Sequence, residues 1–361
     1  MRYTAKRFTA DDKKALAAFL ALPKKLYGKN ELMQDKKEER SLIMGSHILS
    51  SYFRVFPIIV SDENGSTAAR CAVTVYPDRQ CAYFGFFECI DDSEAARVLI
   101  ECAEETARHE GKNSLEGPVD CSFWIRYRLK TDNFGSPYTG EPYNLGYYEK
   151  LLMDCGFRVC GEYISNQFSS IPKEYSDGSF SKRLPEFEQK GYEIRSTDGE
   201  SFDRCLREVY RLLIELYSNF QTYSKITEEE FITMYSPLKR AVDHSMVKVA
   251  YYNGEAVGFF VSIPDYGNAV KGCITPEKLL RILRTKKRCR QYILMYLGVR
   301  PEHLGLGKAL TDKLCQTLAV NGAESVGALI KAGKVNGSYF RKYLKKVYTY
   351  RLYSKPLSAV Q

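Results

Sequence analysis

The chain has 361 residues, of which 44% are hydrophobic and 27% charged, a balance typical of soluble globular proteins with room for two domains. The net charge of +9 favours anionic ligands in general and does not by itself indicate nucleic acid. No apolar run approaches the ~18–20 residues of a membrane-spanning helix, and the N-terminus does not resemble a signal peptide. Eleven cysteines without C-x-x-C pairs, with only four histidines, give no zinc-ligand spacing. We therefore expect a cytoplasmic protein with reduced cysteines, no metal and no membrane partner.

Helix and strand patterns alternate along the first half of the chain. A helix is predicted at 11–22, and the turn Asp-Glu-Asn-Gly at 62–65 predicts a hairpin between two strands. Apolar residues at helical spacing, closed by Gly111, predict a helix at 93–110. The other predicted elements of this half are strands at 53–60, 68–75, 80–89 and from 115, a helix at 147–155, and a strand opening at 156.

The second half repeats this order. It begins with a strand at 191–195 and a helix at 202–220, and Asn253 with Gly254 gives the strongest short hairpin signal, between strands at 248–252 and 256–263. A strand at 292–299, a glycine loop and an amphipathic helix at 308–320 follow. Two copies of one α/β fold are therefore predicted, as residues 1–170 and 189–361, joined by a polar linker at 171–188.

The loop after the strand at 292–299 carries glycines at 305 and 307. A strand, a glycine loop and a helix N-terminus together form an anion cradle, because glycine admits close approach and the first-turn N–H groups lack helical acceptors. A P-loop is excluded, since Ala309 follows Lys308 where Ser or Thr would bind magnesium. A Rossmann fingerprint is excluded by Leu310 at its third glycine. An ordinary β–α turn is the alternative interpretation.

The loop resembles motif A of the Gcn5-related N-acetyltransferases (GNAT), [Q/R]-x-x-G-x-[G/A]. Gly307 and Ala309 match its glycine and small-residue positions, and Gly305 matches a glycine often found there as well. Leu304 departs from the first position, which loses one polar side chain and leaves the backbone cradle intact. The resemblance implies two GNAT-like domains, each with a central mixed, mostly antiparallel sheet flanked by helices.

A second GNAT segment, N-x-x-A-x-x-x-Y-x-x-x-G-F, resembles residues 336–348. Asn336 and Tyr343 fall on its Asn and Tyr, whereas Tyr339 replaces the alanine and Val347 with Tyr348 replaces Gly-Phe. The resemblance implies that Asn336 contributes to cofactor binding and that Tyr343 protonates the departing CoA thiolate. A phenol suits this step, because its pKa of ~10 is close to that of an alkyl thiol. Packing of Tyr343 on the sheet is the alternative.

In a GNAT site, acetyl-CoA lies between the fourth and fifth strands and an amine attacks the thioester directly. The resemblance implies that the backbone of Leu297 and Val299 hydrogen-bonds the pantetheine arm. The pyrophosphate would be held by the backbone of Leu304, Gly305, Leu306, Gly307, Lys308 and Ala309. A base must take a proton from the amine. Asp265 is the first candidate, with a turn-capping role as its alternative.

The first half lacks the glycine loop. Asp91, Asp92 and Ser93 stand at the corresponding helix start, where they suit an N-cap and repel a pyrophosphate. The chain thus resembles tandem-GNAT bacterial proteins with a degenerate N-terminal domain. Segments 116–122 and 142–148 are where acceptor contacts are expected.

Three functions remain open from the sequence. The first is N-acetyl transfer from acetyl-CoA to a small-molecule amine acceptor or amino acid. The second is transfer from aminoacyl-tRNA, as in the Fem transferases, which the basic residues at 281–290 favour and the G-x-G loop disfavours. The third is acyl-CoA binding without catalysis. No RNA-binding signature accompanies the basic residues, so nucleic acid is not expected as a partner. The sequence indicates neither the acceptor nor the oligomeric state.

Overall fold

A computed structural model describes residues 2–173, 181–218, 220, 222–272, 274–333 and 341–358. The chain divides into two compact units. Unit 1 comprises residues 1–163, 270–274 and 348–361, and unit 2 comprises residues 164–269 and 275–347. The sequence assigns residues 348–361 to the second domain, whereas they belong to unit 1.

The helices and strands predicted above occur in the predicted order, together with four further helices and several further strands. The strands are β1 Thr4–Arg7, β2 Arg54–Ser61, β3 Thr67–Val75, β4 Cys81–Cys89, β5 Ser114–Gly117, β6 Leu129–Lys130, β7 Arg158–Phe168, β8 Tyr192–Ser196, β9 Val247–Tyr252, β10 Glu255–Pro264, β11 Gln291–Val299, β12 Glu324–Lys331 and β13 Leu344–Pro356. The helices are α1 Lys13–Leu26, α2 Lys36–Ile43, α3 Ser93–His109, α4 Tyr148–Asp154, α5 Arg183–Gln189, α6 Phe202–Tyr217, α7 Glu228–Tyr235, α8 Pro276–Lys287 and α9 Leu306–Asn321.

The sheet of unit 1 has the strand order β1-β2-β3-β4-β5-β13. Its pairs are antiparallel except β4 and β5, which run parallel over residues 81–83 with 114–116. The predicted hairpin turn at 62–65 is confirmed: Gly65 has a φ of +77° and the Asp62 carboxylate accepts from the Asn64 and Ser66 N–H groups. Helix α3 covers this sheet through fully buried Leu99 and Ala103.

The sheet of unit 2 has the strand order β12-β11-β10-β9-β8. Again one pair is parallel, β11 with β12, and the other pairs are antiparallel. The Asn253–Gly254 hairpin is confirmed, with φ values of +51° and +81° that suit a type I′ turn. Helix α9 buries Leu310, Leu314 and Leu318. The predicted fold class, mixed and mostly antiparallel sheets flanked by helices, is thus confirmed.

The boundaries differ at several helices. Helix α1 runs through Pro23 to Leu26, beyond the predicted end at residue 22. Helix α9 begins at Leu306 rather than at Lys308, so both residues after Gly305 belong to its first turn. The helices α2, α5 and α7 were not predicted, since each has eight residues or fewer, which is too short to show a clear helical period. No helix among these described residues is both long and apolar enough to span a bilayer.

Candidate functional site

Strands β11 and β12 of unit 2 pair along only part of their length. Their parallel register joins residues 291–294 to 324–327. A bulge then interrupts the pairing of β11 with β10, because Ser262 lies opposite Leu294 and Val261 opposite Tyr296, which leaves Met295 as the extra residue. A bulge bends its strand and increases the local twist. The second half of β11, which carries the predicted contacts Leu297 and Val299, therefore continues beyond its register with β12.

A glycine loop connects this end of β11 to α9. Gly305 caps the helix with a φ of +96°, a left-handed conformation that glycine adopts without strain. Leu306 and Gly307 are the first two helical residues, and the Lys308 N–H donates to the Gly305 carbonyl at 3.0 Å. The first N–H groups of a helix lack acceptors within the helix and favour a bound anion. This loop is therefore suited to a phosphate group.

Packing holds the loop in place while leaving its outer surface open. Leu306, Ala309 and Leu310 are fully buried against the core, whereas Leu304 is 92% exposed. A β-carbon built at Gly307 would have Val299 Cγ2, at 3.8 Å, as its nearest neighbour, so free space adjoins this backbone. The residues present thus fit a pyrophosphate. Of the predicted cradle, all six residues lie in this loop and helix start.

Tyr217 is a residue of the site that the sequence did not reveal. It lies at the end of α6, and its hydroxyl donates to the Leu297 carbonyl at 3.2 Å. The Leu297 carbonyl is therefore bonded to a side chain of α6, and its contact with a pantetheine arm stays a prediction. Burial, with Tyr296 nearby, raises the pKa of the Tyr217 phenol, which stays protonated as a hydrogen-bond donor. No local pattern distinguishes it among 27 tyrosines.

The second predicted segment is described only in part. Asn336 lies outside the described residues. Tyr343 ends a short 3-10 turn at 341–343, and its carbonyl accepts hydrogen bonds from the N–H of Ser169 at 2.8 Å and from the Ser169 hydroxyl at 3.3 Å. The backbone of Tyr343 is thus fixed within unit 2, and its role as the acid stays a prediction.

Asp265 follows β10 and caps the turn that the chain makes there. One carboxylate oxygen accepts from the Gly267 N–H at 2.9 Å, and the other accepts from the Gln291 side-chain amide at 2.8 Å. Both contacts favour the turn-capping role, and the base assignment stays a prediction. His303, next to the cradle, contacts the Tyr192 hydroxyl through Nδ1 at 2.7 Å.

The corresponding region of unit 1 is filled by its own chain. We call residues 118–128 the plug segment. The Val119 N–H donates to the Phe84 carbonyl at 2.7 Å, and the Asp120 carboxylate accepts from the Phe86 N–H at 2.6 Å. These are the backbone groups of β4 beyond its register with β5, so the plug segment fills the space beside this part of β4.

A helix cap further distinguishes unit 1. The Asp92 carboxylate accepts from the Glu94 and Ala95 N–H groups at 2.8 and 3.1 Å, so the first turn of α3 is already satisfied by an anion. The N-cap predicted from the sequence is thus present, and the exclusion of phosphate from this helix start stays a prediction.

Unit 1 also holds a small cavity, with a volume of about 20 Å³. Residues of both predicted acceptor segments line it, namely Pro118 and Asp120 from the first and Pro142, Tyr143 and Asn144 from the second. The structure thus brings these two segments together, and their acceptor role stays a prediction.

A buried ionic network borders this cavity. Arg70 is fully buried and bonds Glu39 at 2.9 Å, with Glu88 at 3.7 Å. The hydroxyls of Tyr27 and Tyr148 both donate to Glu88 at 2.8 Å. Burial raises the pKa of the Glu88 carboxyl, while the Arg70 charge acts in the opposite direction. Buried titratable groups of this kind at a cavity are typical of functional sites, yet no local sequence pattern reveals them.

No family model matches this chain. It is 24% identical over 214 residues to the bacterial ceramide synthase of Caulobacter vibrioides (strain NA1000 / CB15N), a match that covers 56% of this chain and 54% of that protein. It is 22% identical over 313 residues to protein YghO of Escherichia coli (strain K12), covering 81% and 78% of the two chains. Among solved structures, a tandem GNAT protein from the clavulanic acid biosynthesis pathway superposes over 100% of both chains, with a TM-score of 0.56 and 10% identity.

Proposed function

Because the chain has the tandem GNAT fold, we propose that it is an acyl-CoA-dependent N-acyltransferase whose donor site lies in unit 2. One observation carries the proposal. The end of β11 continues beyond its register with β12 and leads into a helix capped by glycine, so one strand edge and one anion site adjoin each other. These are the two features that a pantetheine diphosphate requires of a protein backbone.

In the proposed reaction, the pantetheine arm lies along Leu297–Val299 and the diphosphate accepts from the N–H groups at the start of α9. A neutral amine attacks the thioester carbonyl carbon, the new C–N bond forms, and the C–S bond breaks. Tyr343 would give its proton to the departing thiolate. The proton lost by the amine goes to a base, for which Asp265 is the candidate from the sequence.

The acyl group and the acceptor admit two candidates. Acetyl-CoA with a small-molecule amine is the expectation from the sequence. The name of the Caulobacter relative favours a second candidate, a fatty acyl-CoA with a long-chain amino alcohol, which are the two halves of a ceramide. Both candidates use the same donor site, and they differ in the apolar length that the site must accept.

Calorimetric titration with acetyl-CoA and with octanoyl-CoA tests the donor site. Gly307 is the second residue of α9, as Glu94 is of α3, so Gly307→Glu introduces into unit 2 the residue of unit 1. We expect saturable binding by the wild type and a loss of about 100-fold or more in Gly307→Glu, because a carboxylate would stand where the diphosphate binds. Comparison of the two ligands separates the acetyl from the longer-chain candidate.

Glu94→Gly is the matched control, since it makes the reverse change in the unit without a donor site and should leave affinity unchanged. Thermal unfolding of both variants checks their folding. If the wild type binds neither acyl-CoA, the proposal is overturned in favour of an aminoacyl-tRNA donor. Binding without turnover over an amine panel would instead favour the non-catalytic function.

A further inference from the structure

Helix α8 of unit 2 exposes its largest apolar side chains. Leu279, Leu280 and Leu283 are 49%, 48% and 55% exposed, and no residue of the helix is buried. The spacing i, i+1, i+4 places the three leucines on one face. Helix α9 of the same unit has leucines at similar spacing, and those are at most 1% exposed. Exposed leucine stripes on a folded protein mark interaction surfaces.

The opposite side of α8 is attached to unit 2. Lys278, Ile282 and Thr285, at i, i+4 and i+7, are half-buried. The Arg281 guanidinium donates to the Asn268 side chain at 2.7 Å and to the Tyr266 carbonyl at 3.2 Å. Lys286 donates to the Arg240 carbonyl. The helix is therefore fixed by its polar contacts in an orientation that directs the leucines outward.

Cations surround the leucine face. Residues 276–290 contain seven basic side chains and a single acidic one, Glu277, for a formal charge of +6. The basic residues are Lys278, Arg281, Arg284, Lys286, Lys287, Arg288 and Arg290. On a helix of 3.6 residues per turn, Arg284 borders the leucine face and Lys287 lies on it, one turn beyond Leu283. An apolar stripe bordered by Lys and Arg is typical of helices that lie in a membrane interface.

We propose that α8 docks the protein on the surface of an anionic membrane. The leucines enter the boundary between headgroups and acyl chains, and the flanking cations contact lipid phosphates. A two-fold contact with a second copy is disfavoured, because it would place this strongly basic face against itself. The proposal goes beyond the donor site, which uses β11 and α9. It also opposes the expectation of no membrane partner, which rested on the absence of a spanning segment.

Co-sedimentation with vesicles tests the proposal on the full chain. One vesicle is pure phosphatidylcholine, and the other contains 30% phosphatidylglycerol. We expect binding to the anionic vesicles at least tenfold tighter than to the neutral ones. The double variant Leu280→Gln/Leu283→Gln should lose about tenfold or more, because it removes inserted apolar surface. Arg284→Gln/Lys287→Gln should lose a similar factor at low salt and less at high salt.

Matched controls change equally exposed residues elsewhere. Val320→Gln/Met153→Gln removes apolar surface outside α8, and Arg97→Gln/Lys150→Gln removes two exposed cations of unit 1. Both should bind vesicles as the wild type does. The proposal is overturned if the wild type does not sediment with anionic vesicles, or if the controls weaken binding as much as the α8 variants.

Sedimentation velocity tests the competing possibility that α8 forms a dimer contact. A dimer that dissociates in Leu280→Gln/Leu283→Gln, without vesicle binding by the wild type, would assign α8 to a second copy instead. Because these leucines are exposed, the variants should retain their fold, which circular dichroism checks. Acyl-CoA affinity measured on the same variants should stay unchanged, so failure of membrane docking and failure of the donor site are distinguishable.

Discussion

The two units have the same strand arrangement but differ at the gap beyond the parallel strand pair. In each, a parallel strand pair is in register for a few residues, and a bulge follows in the first strand, at Phe86 in unit 1 and at Met295 in unit 2. Unit 1 then closes the gap with its plug segment, whereas unit 2 leads into the glycine loop. The same topology therefore specifies a potential donor site, and a few local residues decide whether it is available.

The interiors differ as well as the openings. In unit 1, Arg70 of β3 lies opposite Glu88 of β4. Counted from the two bulges, the equivalent pair in unit 2 is Phe260 of β10 opposite Leu297 of β11. An ion pair in one unit thus corresponds to two apolar side chains in the other. Buried ion pairs seldom stabilise more than apolar packing does. We therefore expect the charges of unit 1 to serve ligand binding or conformational specificity rather than stability.

The largest effect is expected from removing the central cation of that network. Arg70→Met would leave Glu39 and Glu88 buried without their cation, at a cost of about 3–5 kcal/mol in the free energy of unfolding. Urea unfolding followed by the fluorescence of Trp124, the single tryptophan, reports on unit 1. The triple variant Arg70→Met/Glu39→Gln/Glu88→Gln is the control and should recover part of the loss, because no ionised group is left unpaired. A cost below about 1 kcal/mol in Arg70→Met would contradict the structure, because it would show that water reaches the network.

Local signals explain what the sequence predicted and what it missed. The Asn253–Gly254 turn and the loop at Gly305 were predicted because glycine and asparagine report the conformation of their own backbone. The Arg70–Glu88 pair and Tyr217 were not, because ordinary residue types acquire their meaning from strand pairing far along the chain. Membership of residues 348–361 in unit 1 depends on the same long-range pairing. The exposure of α8 also required the structure, since its leucines match a core pattern.

A second difference between the units concerns buried lysines. Lys130 of unit 1 is paired with Glu141 at 2.6 Å, whereas Lys248 of unit 2 donates to the hydroxyls of Ser196 and Thr317. Burial, with a smaller contribution from Lys313, lowers the pKa of Lys248 to about 8. Below pH 8 the ammonium is charged in both the folded and unfolded chain, and its full burial cost applies. Between pH 8 and about 10.5 the unfolded chain binds more protons, so stability rises with pH.

We therefore expect the unfolding free energy of the wild type, relative to Lys248→Met, to rise by about 3 kcal/mol between pH 8 and 10.5. Urea unfolding followed by circular dichroism at several pH values measures this difference, and the Trp124 signal identifies the transition of unit 1. Comparison with the variant cancels the titration of other groups. A difference that does not change with pH would mean that Lys248 reaches water or an acidic partner.

The smallest effect is expected from adding one methyl group at a glycine of each unit, which compares the filled gap of unit 1 with the open loop of unit 2. A β-carbon at Gly85 of unit 1 would lie 2.1 Å from the Val119 carbonyl oxygen, and backbone atoms must then move. Gly85→Ala should displace the plug segment, weaken the bond from the Val119 N–H to the Phe84 carbonyl, and cost about 1–3 kcal/mol in the Trp124 unfolding transition. Gly307→Ala is the matched variant in unit 2, where the nearest atom is 3.8 Å away, and its stability should change by less than about 0.5 kcal/mol. Equal costs at the two positions would remove the distinction between a filled and an open gap, because that distinction requires only Gly85 to lie against backbone.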